Sequence, residues 1–155
     1  MADVSGRRKA TLVAQNGGKT RFELLEHTAD VLLRAHGKSL GELFENAALA
    51  IASLIGEPQQ AQPREERVVE LHAEDLPSLL VAWLNELLFL FETVEFFGCE
   101  FKCEVEGTGL RAQVRGERFN PAVHGFKTEI KAVTRHQLRI SQDGHGWTAT
   151  VLLDI

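Results

Sequence analysis

With 155 residues, 44% of them hydrophobic and 25% charged, the chain holds material for one domain with one sizeable core. A net charge of -5 argues against autonomous binding along a phosphate backbone, which rests on Lys/Arg clusters and displaced counterions. A protein or metal partner fits that balance better.

The first 20 residues are polar, with Arg7, Arg8, Lys9, Gly17 and Gly18. They lack the apolar run of a signal peptide and read as a flexible leader, residues 1–20, ahead of a domain at residues 21–155. Strand patterns follow at 21–26 and 31–36, joined by His27-Thr28-Ala29-Asp30. That link contains neither Gly nor Pro. Thr28 or Asp30 bonding to nearby backbone would explain it as a tight turn; a His and an Asp in a connection also invite a chemical reading.

Ser39 with Glu42 three residues on is a capping box. Leu40, Leu43, Phe44, Ala47, Ala48, Ile51, Leu54 and Ile55 then recur at helical spacing until Gly56 and Pro58 stop the helix. Residues 59–64 read as a surface loop and 67–72 as a strand. A second helix starts at a capping Asp75, with Pro77 in the first turn. Leu76, Leu79, Leu80, Trp83, Leu84, Leu87, Leu88 and Phe91 form its main face, and Val81, Ala82, Phe89 and Leu90 make much of the other side apolar too. Such a helix belongs in a core or an interface, and its length suits a core helix rather than a membrane span.

Beyond it, strand patterns lie at 97–106, 110–115, 129–135, 137–141 and 147–154. Gly107-Thr108-Gly109 and Asp143-Gly144-His145-Gly146 punctuate two hairpins. Helices interrupting hairpin strands predict a single α+β domain, antiparallel-rich sheets packed with two amphipathic helices. Cys99 and Cys103 share one predicted strand, where four residues span roughly 13 Å. A disulfide needs α-carbons within about 7 Å, so two unpaired thiols and a reducing, cytoplasmic setting are expected.

The last strand alternates Trp147, Ala149, Val151, Leu153 and Ile155 against Thr148, Thr150, Leu152 and Asp154. Asp154 therefore sits beside the α-carboxylate expected at Ile155. Two such anions are either solvated, answered by Lys or Arg, or held by a hard divalent ion, with Asp30 as a candidate further donor. Glu129 and Lys131 share a strand face; Lys131 either neutralises Glu129 or stands as an ammonium beside the carboxylates. His36, His72, His124, His136 and His145 show no HxH or HExxH spacing and read as surface or structural. No phosphate-cradling loop and no nucleophile–base pattern is present.

Taken in order, Glu26-His27-Thr28-Ala29-Asp30, the helix Ser-Leu-Gly-Glu-Leu-Phe-Glu-Asn-Ala-Ala at 39–48, the Leu/Trp helix at 76–88, Glu129-Ile-Lys-Ala-Val-Thr134 and a closing Asp154-Ile155 resemble the archease family. The resemblance runs from about Phe22 onward and implies a non-catalytic partner of an RtcB-type RNA ligase, promoting its guanylylation and multiple turnover in tRNA splicing and RNA repair. RNA would be met only through the ligase, and no membrane is involved. It further implies a divalent-metal site, with calcium the expected ion, at Asp30, Asp154 and Ile155. Lys131 matches a lysine important in the family, and His27 matches the motif in a bracing role. Arg135 departs from the family, whose members often carry Tyr there. Two rival readings are a general protein-binding chaperone, prompted by the apolar helix, and a small metal-dependent phosphoester hydrolase using His27 and Asp30.

Overall fold

A computed structural model describes residues 10–16, 18–26 and 29–155. Three strands open the chain: β1 (Ala10–Asn16), β2 (Lys19–Glu26) and β3 (Asp30–Gly37). Helix α1 (Leu40–Ile55) follows, then a short 3-10 turn at Pro58–Gln60, β4 (Glu65–His72) and helix α2 (Leu76–Val94). The chain continues through β5 (Phe96–Glu106), β6 (Gly109–Arg118), a single helical turn α3 (Pro121–His124), β7 (Ala132–Asp143) and β8 (Gly146–Asp154). All pairings are antiparallel, in a five-stranded sheet ordered β1-β2-β3-β8-β7 and a three-stranded sheet ordered β4-β6-β5. The α+β expectation holds, and both expected hairpins, β5–β6 and β7–β8, form.

Three expectations are corrected. Part of the stretch read as a leader is strand: β1 pairs along β2, which already begins at Lys19. Residues 129–131 precede β7 instead of belonging to it. The two strands expected at 129–135 and 137–141 are one strand, broken in register between Thr134 and Arg139, with Gln137 in the left-handed region at φ 60°. Between those two pairs β7 runs through four residues, 135–138, against the single Val151 of β8; extra residues in one strand bend it without ending it, so this segment is a bulge of β7.

Helix α1 starts as its capping box dictates. Ser39 Oγ accepts from the Glu42 N–H at 3.1 Å, and Glu42 Oε1 accepts from the Lys38 N–H at 3.1 Å. Its alanines Ala47, Ala48, Ala50 and Ala52 are buried, so neighbours approach it closely on several sides. The buried Asn46 ties it to the large sheet, donating to the His36 carbonyl at 2.7 Å and accepting from Arg21 Nε at 3.2 Å. On another side α1 covers the open edge of β5. A Cβ on Gly41 would stand 2.5 Å from the Cys103 carbonyl oxygen, so only glycine permits this approach. One turn on, Glu45 Oε2 accepts from the Cys103 N–H at 2.8 Å, satisfying an edge amide that would otherwise be exposed to pairing.

That contact has a pH signature. Burial pushes the Glu45 carboxyl pKa up, against the lowering effect of the Cys103 N–H bond. The folded chain then holds this proton to higher pH than the unfolded chain does. Its contribution to stability is therefore present at low pH and lost as pH rises from the ordinary glutamate range through the raised folded value. Glu45→Gln keeps an acceptor and removes the ionisation, so its stability should match or exceed the parent's at neutral pH and decline less across that window. Glu45→Ala should cost about 1–3 kcal/mol by leaving the Cys103 amide without its partner. Urea unfolding at several pH values checks both.

Helix α2 is by length and composition apolar enough to cross a membrane. In this fold Leu79, Leu80, Trp83 and Leu84 are fully buried and Val81, Leu87 and Leu88 nearly so. Trp83 Nε1 donates to the Phe44 carbonyl of α1 at 3.0 Å, and its ring meets Phe101 edge-on at 6.5 Å. The main apolar face of α2 is thus explained by the core, while Phe89 on its other side and Val94 at its end stay exposed. Cys99 and Cys103 are both free thiols, as expected, and burial pushes each thiol pKa up.

Candidate functional site

β3 opens at Asp30 and β8 closes at Asp154, and antiparallel pairing sets these two residues directly opposite each other. On the far side of β8, Ala132 at the start of β7 also faces Asp154. Directly opposed residues share a sheet face, with Cβ atoms about 4.5–5.5 Å apart. The two carboxylates therefore project together, away from the buried Val31 and Leu153 on the core side. Next to them on the same face lies a row of three buried leucines, Leu25, Leu32 and Leu152. The alternation of the last strand thus has the expected consequence: an aspartate whose neighbours along the chain all serve the core or this small apolar cluster.

Main-chain bonds hold the surrounding pieces in place. The Lys131 N–H donates to the Asp154 carbonyl at 2.8 Å, and the Ile155 N–H donates to the Ala29 carbonyl at 3.3 Å. Asp30 and Ile155 are half-buried, while Asp154 and Lys131 are exposed. The Ile155 side chain packs against the main core. Four of the five residues singled out in the sequence (Asp30, Lys131, Asp154 and Ile155) therefore meet at one end of the large sheet. His27 lies outside the described residues. No ion pair joins Lys131 to Glu129 among the described residues.

Chemically, this end of the sheet presents hard oxygen donors and an ammonium-bearing residue. Among the described residues no group of three or more His, Cys, Asp and Glu side chains converges as a metal cage. A divalent ion at the aspartate pair would take its remaining oxygens from main chain, water or a partner. Such an open set suits calcium or magnesium, which accept mixed carboxylate, carbonyl and water ligands, better than a closed structural zinc site.

A buried histidine that spacing did not reveal lies elsewhere. His124 is 1% exposed; its Nδ1 accepts from the Asn120 N–H at 2.9 Å and its Nε2 bonds to Glu117 Oε2 at 2.9 Å. The Gln62 N–H and the His124 ring both bond to Glu117 and hold its carboxyl below the usual range. Both ring nitrogens are engaged, so this histidine braces the chain around α3, as the structural reading of His124 expected.

The archease protein family (MTH1598/TM1083) matches residues 22–155. The archease of Methanosarcina mazei is 44% identical over 140 residues, covering 87% of this chain and 96% of that protein. The Sulfurisphaera tokodaii archease is 34% identical over 137 residues, covering 87% and 99%. Among solved structures, protein 1598 of Methanobacterium thermoautotrophicum superposes with a TM-score of 0.74 at 37% identity, covering 87% of this chain and 99% of that one. A crystal structure of the Thermotoga maritima archease shares the fold, with a TM-score of 0.62 at 24% identity over 84% and 94% of the two chains. Matched across all but its N-terminal stretch, the chain belongs to the archease family.

Proposed function

We propose that this protein is a non-catalytic, metal-binding activator of an RtcB-type RNA ligase in the cytoplasm, acting through the end of the large sheet where Asp30 faces Asp154. The observation that carries the reading is the cross-strand register of those two residues. Like charges directly opposite one another destabilise a sheet, and a divalent cation is one answer to that arrangement. Asp30, Asp154 and a main-chain oxygen of Ile155 would hold the ion, calcium being the best fit to an all-oxygen set. Bound there, a divalent ion would orient phosphate oxygens and offset their charge. Lys131, fixed beside Asp154 by its own N–H, would steady the acidic pair or meet a phosphate of the ligase complex. Half-buried Ile155 anchors the site to the core, so the aspartates are presented on a rigid strand end.

The Thermotoga maritima relative is described as a possible chaperone. Helping a partner enzyme into its competent state is compatible with that description. A general chaperone working through α2 would have little of its main apolar face to offer, because that face is buried inside the monomer, with Phe89 and Val94 the large apolar side chains left exposed on the helix.

The decisive measurement is guanylylation of a cognate ligase with and without this protein, in buffer of defined divalent content. Its presence should raise the rate and the number of turnovers, and Lys131→Ala should lose most of that gain with an unchanged melting temperature. If the ligase is unaffected, family membership describes the fold alone. Phosphoester turnover by the isolated protein would overturn the non-catalytic reading.

A further inference from the structure

Each of the two sheets ends in two edge strands, β1 and β7 in one and β4 and β5 in the other. The edge of β5 is covered by α1 through Gly41 and Glu45. β7 is bent by its bulge, where Arg135 Nη2 also donates to Ser78 Oγ of α2 at 2.6 Å. β1 breaks register twice along β2. β4 has none of these defences. It runs opposite β6 in unbroken register from Glu65 to His72 and contains no proline, glycine or lysine. Among the described residues, no main-chain group outside β6 bonds to it. Arg67 Nη1 donates to the Glu66 carbonyl at 3.2 Å, an exposed contact within the strand itself. Native sheets blunt their edges because a row of unpaired N–H and C=O groups is a template for another strand.

The solvent face of β4 limits what such a strand can carry. Glu66, Val68 and Glu70 alternate outward, opposite in sense to the buried Val69, and Val68 is 52% exposed. Across the sheet, Arg115 of β6 stands between Glu66 and Glu100 of β5, and Arg111 stands between Glu70 and Glu104. Each guanidinium is thus flanked by two carboxylates, and each pairs with the one on β4: Arg111 with Glu70 at 2.5 Å, Arg115 with Glu66 at 3.7 Å. Lys102 lies on β5 between Glu100 and Glu104, two strands or about 10 Å from the β4 edge. Both rows therefore end at β4 on a carboxylate, with one guanidinium shared between two acids. A Lys or Arg on a strand added beyond β4 would complete an alternating row, and opposite charges facing each other stabilise a sheet. A second copy of β4 is refused on the same ground. In an antiparallel pairing centred on Val68, Glu66 of each copy would face Glu70 of the other.

We propose that β4 is a docking edge for an extended segment of a partner protein, which joins the small sheet as a fourth strand. The segment carries Lys or Arg beside Glu66 and Glu70, with an apolar residue between them beside Val68. Main-chain bonds along the edge provide the affinity, and the alternate side chains provide the specificity. The surface belongs to the small sheet, whereas Asp30 and Asp154 belong to the large one, so docking here needs no metal.

The test is amide NMR and hydrogen exchange on the full chain, titrated with the end-blocked peptide Thr-Lys-Thr-Val-Thr-Lys-Thr, whose symmetric pattern suits either strand direction. Shifts should concentrate on β4, with exchange slowed at every second amide of that strand. The same peptide with Glu in place of both Lys should bind about fivefold more weakly, as two exposed cross-strand pairs imply. Pro in place of its Val keeps the charge and removes a main-chain donor, so that peptide should leave exchange in β4 unchanged. The variant Glu66→Gln, Glu70→Gln should melt close to the parent and should no longer tell the Lys and Glu peptides apart. The variant Asp30→Asn, Asp154→Asn should bind the Lys peptide as the parent does, which keeps this docking edge separable from the metal reading. Absence of shifts in β4, equal binding of the Pro peptide, or an undiminished preference for Lys in the glutamine variant overturns the proposal. Concentration-dependent shifts of β4 without any peptide overturn it in favour of a second copy.

Discussion

Replacing Asp30 and Asp154 together by asparagine should abolish stabilisation by calcium while leaving the metal-free fold at least as stable as the parent. The two side chains face each other across β3 and β8. At such separations like charges repel by about 1 kcal/mol in water and by several times more where the surroundings are less polar. Asparagine keeps the size and much of the hydrogen-bonding capacity of aspartate and removes that repulsion. In the parent, calcium at a hundredfold excess over its Kd adds about 2.7 kcal/mol. For a domain of this size that corresponds to a rise in Tm of about 5–10 °C. The double variant should show no rise, and it should fail to stimulate guanylylation of the ligase. Melting curves in chelator and in calcium provide the measurement. A parent that does not respond to calcium, or a variant that still does, would remove the metal from the account of this site.

Trp83→Ala should be among the most damaging single changes in the protein. The side chain is fully buried between the helices, with Nε1 bonded to the Phe44 carbonyl at 3.0 Å and its ring against Phe101. Emptying such a site costs about 3–5 kcal/mol, and the lost hydrogen bond about 1 kcal/mol more. Against a total stability of about 5–15 kcal/mol, that brings the domain near the unfolding threshold, with Tm lowered by roughly 10–20 °C. Trp83→Phe keeps most of the volume and loses the donor, so it should recover more than half of the loss. Urea unfolding of the two variants separates packing from hydrogen bonding. Equal stability of Trp83→Ala and the parent would show that α1 and α2 do not share one cooperative core.

The two helices were legible because their signals are local. Ser39 with Glu42 and Asp75 with Pro77 mark starts, and the apolar spacing marks the buried faces. The β5–β6 and β7–β8 hairpins were equally plain from their turn residues. β1 was not, because Ala10-Thr11-Leu12-Val13-Ala14 is a short apolar run set in a polar, glycine-containing stretch, and its strand character rests on pairing with β2. The continuity of β7 through Gln137 was hidden for a related reason: β8 carries the pairing on both sides of the bulge, and residues 134–139 alone read as a break. Asn46 is a polar residue off the apolar stripe of α1, yet it is buried because Arg21 and the His36 carbonyl come to meet it.

For the site itself, the sequence by itself determined that Asp154 projects away from the core, since alternation along one strand needs no partner, and that Asp30 lies in a strand connection. It also carried the residues by which the chain resembles its family. Only the tertiary structure decided that Asp30 and Asp154 are direct cross-strand neighbours and that Lys131 is bonded to the same strand end from the other side. The physical reason is the same in each case. Side-chain direction is set by local backbone geometry, whereas proximity between strands distant in sequence depends on sheet order and register, which are settled by how the whole apolar surface is buried at once.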